Sequence, residues 1–86
     1  MTDIDTLIEQ RHSTHGDFVH TSNTYSLLQA SIQGFYTNPD TNPMHKLAVD
    51  VILQKLARIV NGDPYFEDHW VDIIGYCTKA LEAKRV

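Results

Sequence analysis

Two short spacings hold the side chains best suited to chemistry, Lys55-x-x-Arg58 and His69-x-x-Asp72-x-x-x-Tyr76. Projected at about 100° per residue, Lys55 falls near the centre of a helix face shared with Met44, Ala48, Val51, Ile52 and Ile59, and Arg58 lies about 60° away toward Leu47 and Val51. A lysine pointing uncompensated into a core is costly. Lys55 must therefore pair with a carboxylate, face a pocket, or run its stem out to solvent near the helix end. His69, Asp72 and Tyr76 follow at i, i+3 and i+7 along the flank of a second helix, whose apolar face is Phe66, Trp70, Ile73, Ile74, Cys77 and Leu81. That flank either meets Lys55 and Arg58 or is solvated, with a half-buried tyrosine. Asp72 is the preferred counter-ion. Asp17 is the other, because a Gly-Asp-aromatic loop would carry its carboxylate over the bundle end.

Arg11, Lys55 and Arg58 together suit an anion, since guanidinium and ammonium groups bind phosphate oxygens through charge-assisted hydrogen bonds. Tyr76 or Trp70 would offer a ring to a base. His12, His15, Asp17 and His20 invite a metal test, because His-x-x-His spacing holds zinc or nickel. The segment has no fourth ligand at fixed spacing, and one histidine sits at a helix end while the next lies in a loop. No metal is expected there. Cys77, the lone cysteine, lies on the apolar face and is expected to pack as a small hydrophobe. No phosphate-cradling glycine loop and no nucleophile elbow occur. The candidate ligand-binding set is Arg11, His15, Asp17, Lys55, Arg58, His69, Asp72 and Tyr76, with no catalytic residue or metal ligand assigned.

The elements that must position these residues read as helices throughout, so the class is all-α, a small bundle of three to four helices in a single domain over 1–86. The first runs over about 4–12, capped by Asp3 or Thr2, with Ile4, Leu7 and Ile8 on its stripe and Arg11 continuing it. Gly16 supplies a positive φ in the following loop, and Phe18 plugs that loop into the core. The second is expected over about 22–36 behind a Ser22 cap, with Tyr25, Leu28, Ile32 and Phe35 inward. Gly34 there either admits a neighbouring backbone or marks fraying. Asn42-Pro43 is a strong start for the third, over about 43–60, which Asn61-Gly62 ends with a left-handed cap. Asp63-Pro64 repeats the start device for the fourth, over about 64–84, with Glu67 and Asp68 early and Lys79, Lys84 and Arg85 late, matching the helix dipole.

A chain of 86 residues buries a thin core, about 60% of its unfolded surface. With one cysteine, neither an intrachain disulfide nor a thiolate zinc cluster can reinforce it, which leaves close helix packing or self-association. A net charge of −4 and a pI near 5.6 argue against a general nucleic-acid binder. No apolar run reaches membrane-spanning length and the acidic start is not a signal peptide, so a cytoplasmic protein is expected.

The order His15-Gly16-Asp17-Phe18, then Lys55-Leu56-Ala57-Arg58, then Asp68-His69-Trp70-Val71-Asp72-Ile73-Ile74-Gly75-Tyr76 resembles a family of small phage and prophage proteins. That family carries a Tyr-Gly-Asp-Phe-like loop, a Lys-x-Ala-Arg helix and an Asp-x-Trp-x-Asp-x-x-Gly-Tyr helix, and here His15 stands in place of its tyrosine. The likeness spans about residues 9–81 and implies a phage source, with the host cytoplasm as location, but no activity. A looser likeness is to the all-α nucleoside triphosphate pyrophosphohydrolases of the MazG type. Those hold magnesium with Glu-x-x-Glu and Glu-x-x-Asp on facing helices; here His69-x-x-Asp72 takes the place of the second, and no Glu-x-x-Glu precedes it.

These readings lead to a helical binding protein, self-associated, that captures a small anionic, nucleotide-like ligand or a host protein and needs no cofactor. Two alternatives stand beside it. One is a structural or inhibitory protein in which Lys55 and Asp72 only fix the bundle. The other is a magnesium-dependent nucleotide hydrolase with Asp17, Asp68 and Asp72 as ligands.

Overall fold

Local sequence chemistry accounts for most helix boundaries in the computed structural model, which describes residues 4–84. The Thr2 or Asp3 cap and Arg85 lie outside the described residues. Helices α1 (Ile4–His15), α2 (Phe18–Ser31), α3 (Gln33–Thr37), α4 (Pro43–Asn61) and α5 (Glu67–Glu82) follow in order, and no strand occurs among the described residues. The chain is all-α. Helix α4 is the axis: α5 packs along one side, α2 along another, and α1 touches it more lightly.

Asn42 caps α4 as expected, accepting from the Met44 N–H at 2.8 Å, with Pro43 in the first turn. The start of α2 differs from the reading. Asp17, not Ser22, is the cap, accepting from the Val19 N–H at 2.8 Å, so the helix begins four residues earlier and Ser22 lies inside it. Phe18 is then a first-turn residue, 79% exposed, rather than a plug. The α2 helix also breaks at Ile32 before resuming as α3. A Cβ at Gly34 would meet nothing, so that glycine does not serve a close backbone approach.

Asp63-Pro64 does not begin the last helix. Asp63 instead closes a turn, its carboxylate accepting from the Tyr65 N–H at 2.9 Å and its carbonyl from the Phe66 N–H at 3.1 Å, and α5 starts three residues later than Pro64.

Gly16 has the expected positive φ of 82°. Gly62 does not; its φ is −123°, and it is glycine for another reason. A Cβ there would lie 2.6 Å from the Thr14 carbonyl and 2.7 Å from the Gly16 amide, while one on Gly16 would lie 2.7 Å from the Asn61 backbone. The turn between α1 and α2 is thus pressed backbone to backbone onto the end of α4, and the Asp63 N–H donates to the Thr14 carbonyl at 3.4 Å.

The buried apolar residues among those described are Ala48, Ala57 and Ile59, all on α4. Met44, read as inward, is exposed, and Val51 and Ile52 are half-buried. On α5 the inward row is also rotated from the expected one. His69 is buried and Ile73, Tyr76 and Ala80 are half-buried, as expected for Ile73; the His45 ring contacts the Ala80 carbonyl (3.0 Å), and Lys55 reaches the more exposed Asp72 (2.8 Å). Trp70, Ile74, Cys77 and Leu81 are turned outward. Cys77 is therefore not the packed hydrophobe the periodicity implied. No helix among the described residues is long and apolar enough to cross a membrane.

Candidate functional site

The clasp between the α1–α2 turn and the end of α4 fixes a cluster of cationic and imidazole groups. His69, 1% exposed, enters from α5. Its ring meets His15 edge-on at 4.5 Å between centroids and Phe66 at 5.1 Å, and Phe66 in turn lies 5.5 Å from His15. Neither nitrogen of His69 makes a well-formed hydrogen bond, although the Thr14 backbone lies close enough to act on the ring. Burial pushes its pKa down, Lys55 and Arg58 push the same way, and the nearby Thr14 backbone and Asp72 oppose them. His15 is lowered as well, by burial first and then by His69, Arg11, Arg58 and Lys55. Its Nδ1 lies 2.5 Å from the Thr14 hydroxyl. Both rings are held toward the neutral form.

Lys55, with a side chain only 17% exposed, bonds the Asp72 carboxylate at 2.8 Å. That contact, led by the hydrogen bond and followed by the charge of Lys55, holds Asp72 below the usual carboxylate range. Lys55 therefore meets Asp72 within one chain. Asp17, the other candidate counter-ion, is occupied elsewhere. It caps α2 and contacts His20 at 3.1 Å, and the Val19 N–H is the main cause of its lowered pKa.

Arg11 and Arg58 have no such partner. Among the described residues neither pairs with a carboxylate. Both line an open pocket of about 250 Å³ at the junction of α1, α2 and α4, together with His12, His15, Phe18 and Thr21. Both guanidinium charges add to burial and His69 in lowering the His15 pKa. Two arginines without a carboxylate partner among the described residues, with a histidine beside them, form a concave donor set, the chemistry that holds a phosphate or carboxylate oxygen.

The structure thus brings Arg11, His15 and Arg58 to one pocket and Lys55, His69 and Asp72 to the helix seam beside it. Asp17 is at the α2 cap. Tyr76 lies apart, with the Lys79 ammonium 5.0 Å from its ring centroid, and neither Tyr76 nor Trp70 lines the pocket. The exposed ring at the rim is Phe18. Asp17, Asp68 and Asp72 are not gathered, and no group of three or more His, Cys, Asp or Glu side chains among the described residues is placed to hold a metal ion.

Two polar arrangements escaped the sequence reading. One is the burial of His69, which helical spacing alone placed on a flank. The other is a network across α2 and α4. The Tyr25 hydroxyl donates to Asp50 at 2.5 Å, Gln29 donates to the Tyr25 oxygen at 3.0 Å, and Gln54 donates to Asp50 at 3.1 Å. Asp50 and burial push Tyr25 up to about 12. Only the i, i+4 spacing of Asp50 and Gln54 hinted at it.

Comparison of the chain with models of known families, with curated proteins and with solved structures yields no match.

Proposed function

We propose that this chain is a small binding protein, of phage type and self-associated, that captures an anionic ligand in the pocket between α1, α2 and α4. The observation that carries the reading is the pair Arg11 and Arg58, both without a carboxylate partner among the described residues and both lining one concavity with His15. A pocket of about 250 Å³ suits a phosphate-bearing head group better than a whole nucleotide. The rest of a nucleotide would lie outside, where the exposed Phe18 ring offers a stacking surface. Lys55 is neutralised by Asp72, so it supports the wall of the site rather than the ligand.

Calorimetric titration with inorganic phosphate, pyrophosphate and nucleoside mono-, di- and triphosphates tests the reading. Binding that weakens in both Arg11→Gln and Arg58→Gln is the expected result; heats indistinguishable from buffer for every phosphate sink it. Capture of a host protein, and a structural or inhibitory role, are the readings that would then gain. The hydrolase reading is weaker on geometry, because its three carboxylates lie apart and two of them are engaged by the α2 cap and Lys55. The reading requires no cofactor; magnesium belongs to the hydrolase alternative alone.

A further inference from the structure

A different face of the molecule carries its own unsatisfied requirement. A compact monomer of 9.8 kDa has an accessible surface of about 5,200 Å², whereas this chain has 6388 Å². Its radius of gyration is 15.1 Å, against about 12 Å for a compact domain of this length. The surplus area exceeds the ~800 Å² that each partner contributes to an interface of standard size. Among the described residues three apolar side chains are buried, two of them alanines, a small core for a chain of this length.

Exposed apolar side chains occur on α1, α2, α4 and α5, and those of α5 form a regular row. Trp70, Ile74, Cys77 and Leu81 form an outward stripe at alternating spacings of four and three, the seam spacing of packed helix pairs. Trp70 is 46% exposed, Ile74 64% and Leu81 82%, and Cys77 is exposed as well. No charged residue interrupts the stripe. The Trp70 ring is fixed in place by donation from its Nε1 to the Pro64 carbonyl at 2.8 Å. Beside the Leu81 end, Phe35, Val49, Ile52, Cys77, Ala80 and Leu81 line an open apolar groove of about 530 Å³.

We propose that two copies of the chain pair through this stripe, α5 against α5 and antiparallel, about a two-fold axis that passes between Ile74 and Cys77. The spacing is its own mirror under that axis. Trp70 then lies against the partner's Leu81 and enters the groove beside it, while Ile74 lies against the partner's Cys77. The charges at the two ends of the seam select this orientation. Counted along the sequence, the same spacing reaches Glu67 in the first turn and Lys84, which follows the extended Ala83 just past the helix end and lines the neighbouring cavity with Pro39 and Asp40. In the antiparallel pair each Glu67 approaches the partner's Lys84. A parallel pair would set Glu67 against Glu67 and Lys84 against Lys84. An isologous contact of this kind closes on itself, so the assembly stops at two.

The proposal deepens the self-association put forward above and leaves the arginine pocket free, so the two are tested apart. Light scattering on the full chain should give a mass about twice 9.8 kDa from micromolar concentrations upward. Glu67→Lys and Lys84→Glu, made singly, should each weaken the pair about tenfold by turning two attractive contacts repulsive. The double reversal should restore it, which a change in helix-dipole energy at Glu67 alone would not. A monomeric mass at every concentration to the millimolar range overturns both the seam and the self-association. A dimer indifferent to the single reversals, or not rescued by the double one, overturns the antiparallel seam alone.

Discussion

Helix α4 separates two polar regions that differ in one respect. Toward α2, Tyr25, Gln29, Asp50 and Gln54 bond one another, and Asn61 donates to the Thr24 hydroxyl at 2.9 Å. Toward α1, Arg11 and Arg58 form no ion pair among the described residues, and neither nitrogen of His69 makes a well-formed hydrogen bond. A polar group that completes its bonds inside the chain serves the fold, because leaving one unmade in a buried place costs about 1–3 kcal/mol. A group that does not complete them is a place where an outside partner gains more than it would in water. The contrast is one of charge rather than of hydrogen bonding, because the Tyr36 hydroxyl beside Asp50 also lacks a formed bond; the arginines without a counter-ion among the described residues are what favour the α1 side as the proposed binding side.

The contrast can be broken from either side. Asp50→Ala removes the acceptor of Tyr25 and Gln54 together, and should cost about 2–4 kcal/mol of unfolding free energy in a urea titration while anion affinity in the folded fraction is kept. Arg11→Gln or Arg58→Gln should do the reverse. Phosphate affinity by calorimetry should fall at least about tenfold, with stability changed by less than about 1 kcal/mol. A large stability loss in the arginine variants, with binding unchanged, would mean that the pocket is part of the architecture.

The next effect is one of pH. His15 and His69 have folded-state pKa values below the ordinary 6.5, so the unfolded chain takes up protons that the folded chain refuses. Above about pH 6.5 both states are neutral there and stability is flat; below it the fold loses stability progressively as pH falls toward the depressed values. The lowered Asp17 and Asp72 act later, their contribution being present above the ordinary 3.8 and lost as pH falls below it. Thermal melts from pH 8 to pH 5 should show the first decline, and His69→Leu should flatten it while raising the plateau by about 1 kcal/mol through removal of two nitrogens without a well-formed hydrogen bond. A bound phosphate should reverse part of the decline, because an anion in the pocket favours charged His15. The smallest expected change is Lys55→Met, neutral to about 1 kcal/mol stabilising, since Asp72 keeps its access to water and the lysine leaves a nearly dry site. A loss of anion affinity in that variant would move Lys55 from the wall into the site.

Backbone chemistry made some of this architecture legible in advance. Asn42-Pro43 and Gly16 act through their own dihedral limits and a single hydrogen bond, and they stand where the spacing put them. Asp63-Pro64 carries the same local signals as Asn42-Pro43, yet closes only a single turn before α5 begins. Gly62 answers to a contact with residues far away in sequence, which no local rule could find. The face of α5 was misread for a related reason. Periodicity locates an apolar stripe, but it does not say which surface covers it. On this helix the covered side is His69, Ile73, Tyr76 and Ala80, so Ile73 is inward as expected, and the stripe of Trp70, Ile74 and Leu81 points away. The Lys55–Asp72 pair was legible because charge complementarity constrains partners more narrowly than apolar periodicity does. The Arg11–Arg58 pocket was legible only as a list of cations; bringing them together required the α1–α2 turn to be pressed onto the end of α4.

That pressed turn also sets a clock. Helix α1 buries none of its residues, and its contact with the bundle is concentrated where Thr14 and Gly16 meet Asn61, Gly62 and Asp63. Separating those few atoms swings α1 away while α4 and α5 stay folded, a sub-global opening of the kind native-state hydrogen exchange resolves. The same swing uncovers His69, empties the wall that holds Arg11, and dismantles the pocket. The amides of α1 should therefore exchange as one group, faster than those of α4. A phosphate that bridges Arg11 to Arg58 should slow that group and no other, acting as a latch across the hinge.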